Sequence, residues 1–420
     1  MKFARNKTCI HLGEFFTAFF LTSLILVSFA PSAFAEEAGI NVPQIQGEGA
    51  YLIDVLSGQA LYTKNSDKLL APASTTKIMT ALLAIEHGNL NDIVTPSSSL
   101  LNNKLVYGTQ IYLEPGEKMT LEHLLYALLL NSANDAAVVI AEHIGSDLST
   151  FIDMMNQRAR EIGANQTNFV NPSGLTEAGH MTTARDLALI ARVAYQNPTF
   201  AEYVRTKTHP ISRSKPNTPT LMVNENKLLW RDVTIDGIKP GYTSAAQNCL
   251  VASMNKEGRQ MIGVILKSPG REIYTDMQAL LEFGFTQFNE TVFKPAGATI
   301  ATIMVNKEPV DLIIDHPIYI TRKHDEQNSV LNLRITPTVA EPLSYVQEGQ
   351  TVAQVAVLDG GSIINTLPLL SSRTVLPSTD TSITNSNYSL VLTGLLFLGV
   401  VLLLIIAKKL YTDWRWRQRM

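Results

Sequence analysis

The run SLVLTGLLFLGVVLLLIIA, residues 389–407, carries no charge and has no polar face. A helix of that length and composition can cross the hydrocarbon core of a bilayer, so the sequence assigns a transmembrane helix to 389–407. An amphipathic helix lying on the membrane surface would need a polar side, which this segment lacks. The tail that follows, KKLYTDWRWRQRM (408–420), holds five cations against Asp413, and a basic flank marks the cytoplasmic side. The expected location is therefore the cell membrane, single-pass, with the bulk of the chain extracytoplasmic. The other end agrees. Lys2, Arg5 and Lys7 precede the apolar FFTAFFLTSLILVSFA, and Ala33-Phe34-Ala35 follows just before Glu36. This is the layout of a signal peptide over 1–35, with an uncleaved anchor as the alternative. Cys9 falls within that leader, which leaves Cys249 alone and no intrachain disulfide in the remainder.

Between these ends the chain is acidic. Its net charge is −3, yet the segments 1–35 and 408–420 carry +2 and +4, so the body carries −9. That balance argues against nucleic acid as a partner. Hydrophobic content of 45% supports a sizeable core, and 420 residues suffice for two domains. Residues 45–62 alternate like strands around Ser57-Gly58. STTKIMTALLAIEHG, TLEHLLYALLL, DAAVVIAEHIG, residues 148–163 and TTARDLALIARVAY show helical spacing. NCLVASMNKEGRQMIGVIL reads as a hairpin turning near Lys256-Glu257-Gly258, and DMQALLEFGF as a closing helix. The first domain, 36–290, is thus α/β with an antiparallel sheet. Short alternating segments from Phe293 onward predict a small all-β domain over 291–372. Residues 373–388, rich in Ser, Thr and Asn, read as a flexible linker.

Three short stretches carry candidate chemistry. In APASTTKIMT, Ser74 and Lys77 stand three apart at a helix start, on one face and within mutual reach. A serine becomes a nucleophile beside a base, and a lysine is a base if burial or another cation lowers its pKa. The backbone N–H groups of that helix start can also face an oxyanion. The bland alternative is an N-cap serine with a solvated lysine. In LLLNSANDAAVV, Ser132 and Asn134 lie in a break between two apolar helices. There Asn134 or Asp135 has an alternative task as an N-cap, while Ser132 stays unexplained. In IDGIKPGYTS, Lys239 sits among glycines that let another backbone approach closely. Alone, this is a surface turn with a solvated lysine. The Glu-His pairs at 86–87, 122–123 and 142–143 never form H-E-x-x-H, and their histidines read as helix-surface residues, so neither a metal nor a cofactor is expected.

Taken in order, S-x-x-K, S-x-N and K-x-G resemble the penicillin-recognising serine enzymes. The stretches AYLIDVLSGQALYTKN, LLLNSANDAAVVIAEHIGSDLSTFIDMMNQRARE, TNFVNPSGL, TTARDLALIA and DGIKPGYTSAAQNCLVAS, within residues 45–290, resemble the D-alanyl-D-alanine carboxypeptidase family of low-molecular-weight penicillin-binding proteins. The segment opening FKPAGATIATI resembles that family's C-terminal β-sandwich, a stalk. The resemblance implies a transpeptidase-type catalytic domain of the penicillin-binding-protein/β-lactamase kind. It implies Ser74 as nucleophile, Lys77 as proton acceptor and Ser132 as proton relay. Asn134 would hold the substrate amide and Lys239 its terminal carboxylate. Gly241 would let the peptide lie against the strand, and the N–H groups of Ser74 and Tyr242 would form the oxyanion hole. The partners it implies are the peptidoglycan stem peptide and β-lactam inhibitors. One departure stands out: the usual K-T-G is Lys239-Pro240-Gly241 here, which removes a hydroxyl. Thr243 is the candidate to replace it. A D,D-endopeptidase acting on cross-links and a non-catalytic penicillin-sensing or wall-binding protein remain open. A β-lactamase shares the boxes, but lacks a use for the β domain and the membrane span.

Overall fold

The computed structural model describes residues 42–215, 218–326, 330–339, 343–377 and 386–417. The leader expected over 1–35 and residues 378–385 of the linker lie outside the described residues. Two compact units emerge, the first running to Asn289 and the second beginning at Glu290, apart from short exchanges at Ser57–Gln59 and Arg322–His324.

The first unit is built on a five-stranded sheet. Its strands are β1 (Gly49–Asp54), β2 (Ala60–Lys64), β3 (Ile235–Thr243), β4 (Gln247–Lys256) and β5 (Arg259–Ser268), in the spatial order β2-β1-β5-β4-β3. Every neighbouring pair is antiparallel. Side chains alternate between the faces of a strand. Ala50 and Leu52 of β1, Leu250, Ala252 and Met254 of β4, and Met261 and Ile265 of β5 share one core with Met277, Leu280 and Leu281. Tyr51, Ile53, Val251, Ile262 and Val264 share the opposite core with the remaining helices. Both faces are covered, which is why β4 and β5 read as continuous apolar runs rather than as clean alternation.

The first unit's helices of eight residues or more are α1 (Lys77–His87), α2 (Leu121–Leu129), α3 (Asn134–Gly145), α4 (Leu148–Ile162), α5 (Ala184–Gln196), α6 (Pro198–Arg205) and α7 (Ile273–Gln287). The first core is covered by α7 and by Leu228 and Leu229 of the short helix Lys227–Arg231; α1 to α6 build the second. Residues Lys77 to Ala84 of α1 are all buried, so α1 is the central helix of its layer. The fold here differs from the sequence expectation in one detail. Residues Ala73–Thr76 form a 3₁₀ turn before α1, and no side chain caps the helix. Strand β3 is last in the sheet and bonded only to β4, so its outer edge is open. Pro240 sits on this strand, where a residue without an N–H is tolerated.

The second unit is all-β. Its main sheet runs Thr299–Val305, Glu308–Ile313, Ser362–Ser371, Thr351–Asp359, Leu331–Pro337, with a two-stranded sheet beside it in sequence. Val305, Val310, Leu312, Val355, Val357 and Leu369 are among its fully or nearly fully buried core residues. The unit extends past the limit expected from composition. Val346 and Val375 bridge backbone to backbone, and Arg373 pairs with Glu308 at 3.0 Å, so 373–375 are structural rather than linker. A helix spans Ser386–Arg417, apolar enough to cross a membrane from Val391 (mean hydropathy 2.6). It continues beyond Ala407 because the basic tail contains neither glycine nor proline to end it.

Leu280 anchors α7 to the sheet and is wholly buried. Leu280→Ala should destabilise the first unit by about 2–5 kcal/mol. A lowered first transition in calorimetry of the full chain checks this, with the second unit's transition unmoved.

Candidate active site

Four segments converge at the open edge of β3: the 3₁₀ turn with Ser74, the α2–α3 connection with Ser132 and Asn134, the loop 171–175, and β3 itself. The turn is held tightly. Thr75 Oγ1 donates to Pro72 O at 2.6 Å, and Thr76 Oγ1 donates to Ala73 O at 2.9 Å. Ala73 has φ +49, a left-handed conformation that alanine adopts only at a cost. Glycine backbones pack on this turn from two directions. A Cβ on Gly174 (φ +86) would lie 1.8 Å from Ala73 O, and one on Gly241 would lie 2.8 Å from the Ser74 nitrogen. No side chain fits at either place.

Lys77 is fully buried and its Nζ has three partners: Ser74 Oγ at 3.1 Å, Asn134 Oδ1 at 2.7 Å and Ser173 O at 2.7 Å. Asn134 is oriented for this, because its Nδ2 donates to Tyr107 O at 2.6 Å. Burial, and secondarily the charge of Lys239, push the Lys77 ammonium well below its ordinary pKa. Two of its partners, an amide oxygen and a backbone carbonyl, can only accept. A neutral amine spends its two N–H bonds on them. Its lone pair then faces the one partner able to donate, the Ser74 hydroxyl.

Lys239 is also fully buried; burial lowers it to about 8, with Glu225 opposing. Its Nζ makes no hydrogen bond, and Glu225 Oε2 stands 3.9 Å away. Ser132 is 4% exposed and adopts φ +59, which points to local constraint in the α2–α3 connection. A cleft of about 460 Å³ is lined by Ser74, Ser132, Glu225, Pro240, Gly241 and Tyr242, among others. Along a strand the N–H groups alternate in direction. Pro240 costs no ladder bond only if its nitrogen faces the open edge, so the N–H of Tyr242, two residues on, faces that edge as well.

Thus Ser74, Lys77, Ser132, Asn134, Lys239, Gly241 and Tyr242 share one site. Thr243 follows on the same strand: its Oγ1 accepts from Thr176 Oγ1 and from Ala246 N, both at 3.0 Å, which ties the turn after β3 and leaves the hydroxyl hydrogen to donate. The capping role considered for Asn134 or Asp135 does not apply. The N-cap of α3 is Ala133, with no side-chain cap. Asp135 is buried and accepts from Ile111 N and Leu113 N, and burial raises its pKa. Among the described residues no group of three or more His, Cys, Asp or Glu is placed to hold a metal.

Nothing local in the sequence marks Ser173, Gly174 or His180 as part of the site. The string NPSG was readable as a turn, and Asn171 Oδ1 does accept from Gly174 N at 2.7 Å. That the turn backs onto the nucleophile is a tertiary fact. His180 Nδ1 accepts from Val170 N at 3.0 Å, so its Nε2 carries the hydrogen and donates to Thr76 Oγ1 at 2.8 Å. Equally silent in the sequence is the buried pair of Glu117 and Arg213 (2.9 Å from Nη2), whose guanidinium also bonds Ile111 O. It fixes the segment whose Thr109 O accepts from Asn134 N.

Residues 36–270 match the family model described as D-alanyl-D-alanine carboxypeptidase, and residues 288–376 match that of the penicillin-binding protein 5 C-terminal domain. The chain is 33% identical over 366 residues to D-alanyl-D-alanine carboxypeptidase DacF of Bacillus subtilis, covering 84% of this chain and 92% of that protein. It is 31% identical to DacC of Escherichia coli, over 84% and 90%. Among solved structures, penicillin-binding protein 5 from Haemophilus influenzae superposes with a TM-score of 0.65 at 27% identity, covering 80% of this chain and 99% of that one. The Streptomyces K15 DD-transpeptidase gives 0.55 at 32%, over 58% and 98%.

The histidine behind the turn makes stability depend on pH. Burial, then the nearby Lys77 charge, lower His180 from 6.5 to about 4. As pH falls through 6.5 the unfolded chain takes the proton first, so stability is intact above 6.5. It is lost progressively down to about pH 4, by up to about 3 kcal/mol. His180→Gln should flatten this part of the acid-denaturation profile. Separately, Gly174→Ala should abolish labelling by a fluorescent penicillin while circular dichroism shows the fold retained.

Proposed function

Because the chain belongs to the D-alanyl-D-alanine carboxypeptidase family, we propose that Ser74 is its nucleophile and that the substrate is a peptidoglycan stem peptide ending in D-Ala-D-Ala. The observation that carries this reading is the set of three contacts on Lys77, which leaves a lone pair aimed at the Ser74 hydroxyl.

Ser74 Oγ attacks the carbonyl of the penultimate residue as its proton passes to Lys77 Nζ. The N–H groups of Ser74 and Tyr242 stabilise the oxyanion. Lys239 receives the terminal carboxylate and helps keep Lys77 neutral beforehand, since two adjacent cations are unfavourable. Asn134 holds both Lys77 and the substrate amide. Collapse breaks the C–N bond, Ser132 relays a proton to the leaving amine, and D-alanine departs. Water then hydrolyses the ester and regenerates Ser74. Penicillins, which carry a comparable acyl bond and carboxylate, acylate the same serine.

The apolar helix from Val391 and the basic residues at its end support a membrane anchor with the catalytic unit outside the cell. The leader-like sequence before Glu36 fits the same topology, and the all-β unit then serves as a stalk.

Release of D-alanine from such a peptide by the full chain in detergent, absent in Ser74→Ala, tests the reading; no Ser74-dependent release would refute it. Pro240→Thr should restore a hydroxyl to the carboxylate end. One such bond contributes about 1.5 kcal/mol or more, so KM should fall by about tenfold with kcat little changed.

A further inference from the structure

On the reading above, the terminal carboxylate of the substrate meets Lys239 and the scissile carbonyl meets the N–H groups of Ser74 and Tyr242. The peptide then lies along the open edge of β3. Its part upstream of the scissile bond passes Tyr242 toward Thr243 and the turn at 244–246. A second cavity, of about 470 Å³, opens on that side, lined by Ala71, Gly174, Thr176 and Ala245 among others. Ala71 precedes Ser74 by three residues, so this wall stands within about 11 Å of the nucleophile's backbone. Gly174 packs on the Ser74 turn, Thr176 Oγ1 donates to Thr243 Oγ1 at 3.0 Å, and Ala245 lies in the turn after β3. The rest of the lining is partly apolar, with Leu69 (49% exposed), Leu175 and Met181, and partly charged. Lys68 and Lys267, both part-exposed, pair with Glu48, the second of them at 2.7 Å. Hydrogen bonds from Lys267 and Lys68 lower the Glu48 carboxyl to about 2, so it stays ionised and one anion faces two cations. The other acid on the wall, Glu177, accepts from Asn171 Nδ2 at 3.3 Å and stands on the opposite segment, the loop after Gly174. The cavity thus offers a surplus cation at one place and an anion at another.

We propose that this cavity is the subsite for the stem-peptide residue that precedes D-Ala-D-Ala, and that it selects a side chain ending in both an ammonium and a carboxylate. The proposal rests on the reading of Ser74 and Lys239 given above, which sets the direction of the peptide. That residue starts about 3.8 Å upstream of the scissile one, and a side chain of about four carbons covers the remaining span. Its methylenes lie on Leu69, Leu175 and Met181. Its carboxylate joins Lys68 and Lys267, and its ammonium meets Glu177. A side chain with an amine alone, such as that of lysine, leaves the two-lysine end unanswered. The selection acts on binding rather than on bond breaking. The charges that shift the Lys77 ammonium are those of Lys239, Glu225 and Asp135, and none of these lines the cavity.

The test measures D-alanine release by the full chain from three peptides that differ only at the residue before D-Ala-D-Ala. One carries meso-diaminopimelate, one the same residue with its side-chain carboxylate as a carboxamide, and one lysine. KM should be lowest for the first, by about fivefold against either of the others with kcat alike, the scale of a partly exposed ion pair. In the double variant Lys68→Gln, Lys267→Gln that advantage should vanish, whereas Lys267→Arg, which keeps the charge, should retain it. Equal KM values on all three peptides, or a double variant that weakens all three alike, would overturn the proposal, since lost packing cannot tell a carboxylate from its carboxamide. Should no peptide release D-alanine, the carboxypeptidase reading fails while the subsite is still tested. The stem tripeptide ending in meso-diaminopimelate, titrated by NMR, should then bind the unaltered full chain about fivefold more tightly than the double variant; equal binding, or none, would overturn it.

Discussion

Burying the Lys77 amine is the constraint around which the catalytic unit is arranged. A charged ammonium with no access to water is costly, and a buried polar group without partners is costly in either protonation state. The fold answers both demands. It supplies acceptors from two distant parts of the chain, Asn134 and Ser173, and it places a second buried cation near enough to discourage protonation. Each of these suppliers must itself be held. Asn134 is fixed through Tyr107 and Thr109, that segment through Arg213 and Glu117, and Ser173 by the turn that Asn171 closes. These polar groups form one connected support for a single nitrogen.

The boundary between what sequence discloses and what it conceals follows from range. Ser74 and Lys77 lie one helical turn apart, so their proximity was readable from spacing alone. The α/β character and the all-β second unit were readable from periodicity. The strings around Ser132 and Lys239 gained meaning from their order and from family resemblance. Contacts between remote loops were not readable. Nothing local tells that Ser173 O meets a lysine 96 residues earlier, or that His180 braces the nucleophile turn. Thr243 has a second task that its position two residues past the glycine did not disclose: its oxygen accepts from the turn after β3. Asp135 likewise looked like a helix cap because capping is the commonest local task for that residue type; burial gave it a longer-range one.

The second unit and the terminal helix are governed by simpler physics. One is a small sheet with its own core of valines, leucines and isoleucines, and the other is a helix without a buried face. Among the described residues, the side chains that converge at Ser74 all belong to the first unit. The acidic body and the basic ends divide the charge of the chain in a way suited to standing near, rather than lying on, an anionic lipid surface.

The open edge of β3 has a further consequence. A strand with unpaired N–H and C=O groups is a template for any extended chain, including a second copy of itself, and proteins normally blunt such edges. This one is left open by the fold, and on the proposed reading a peptide reaches it. Pro240 and the buried charge of Lys239 are both edge-blunting devices: the proline interrupts the row of donors, and an apolar strand laid across the lysine would strand its charge. A proline in the strand and a buried charge beside it thus make this edge a poorer template for another sheet than an unbroken apolar strand would be.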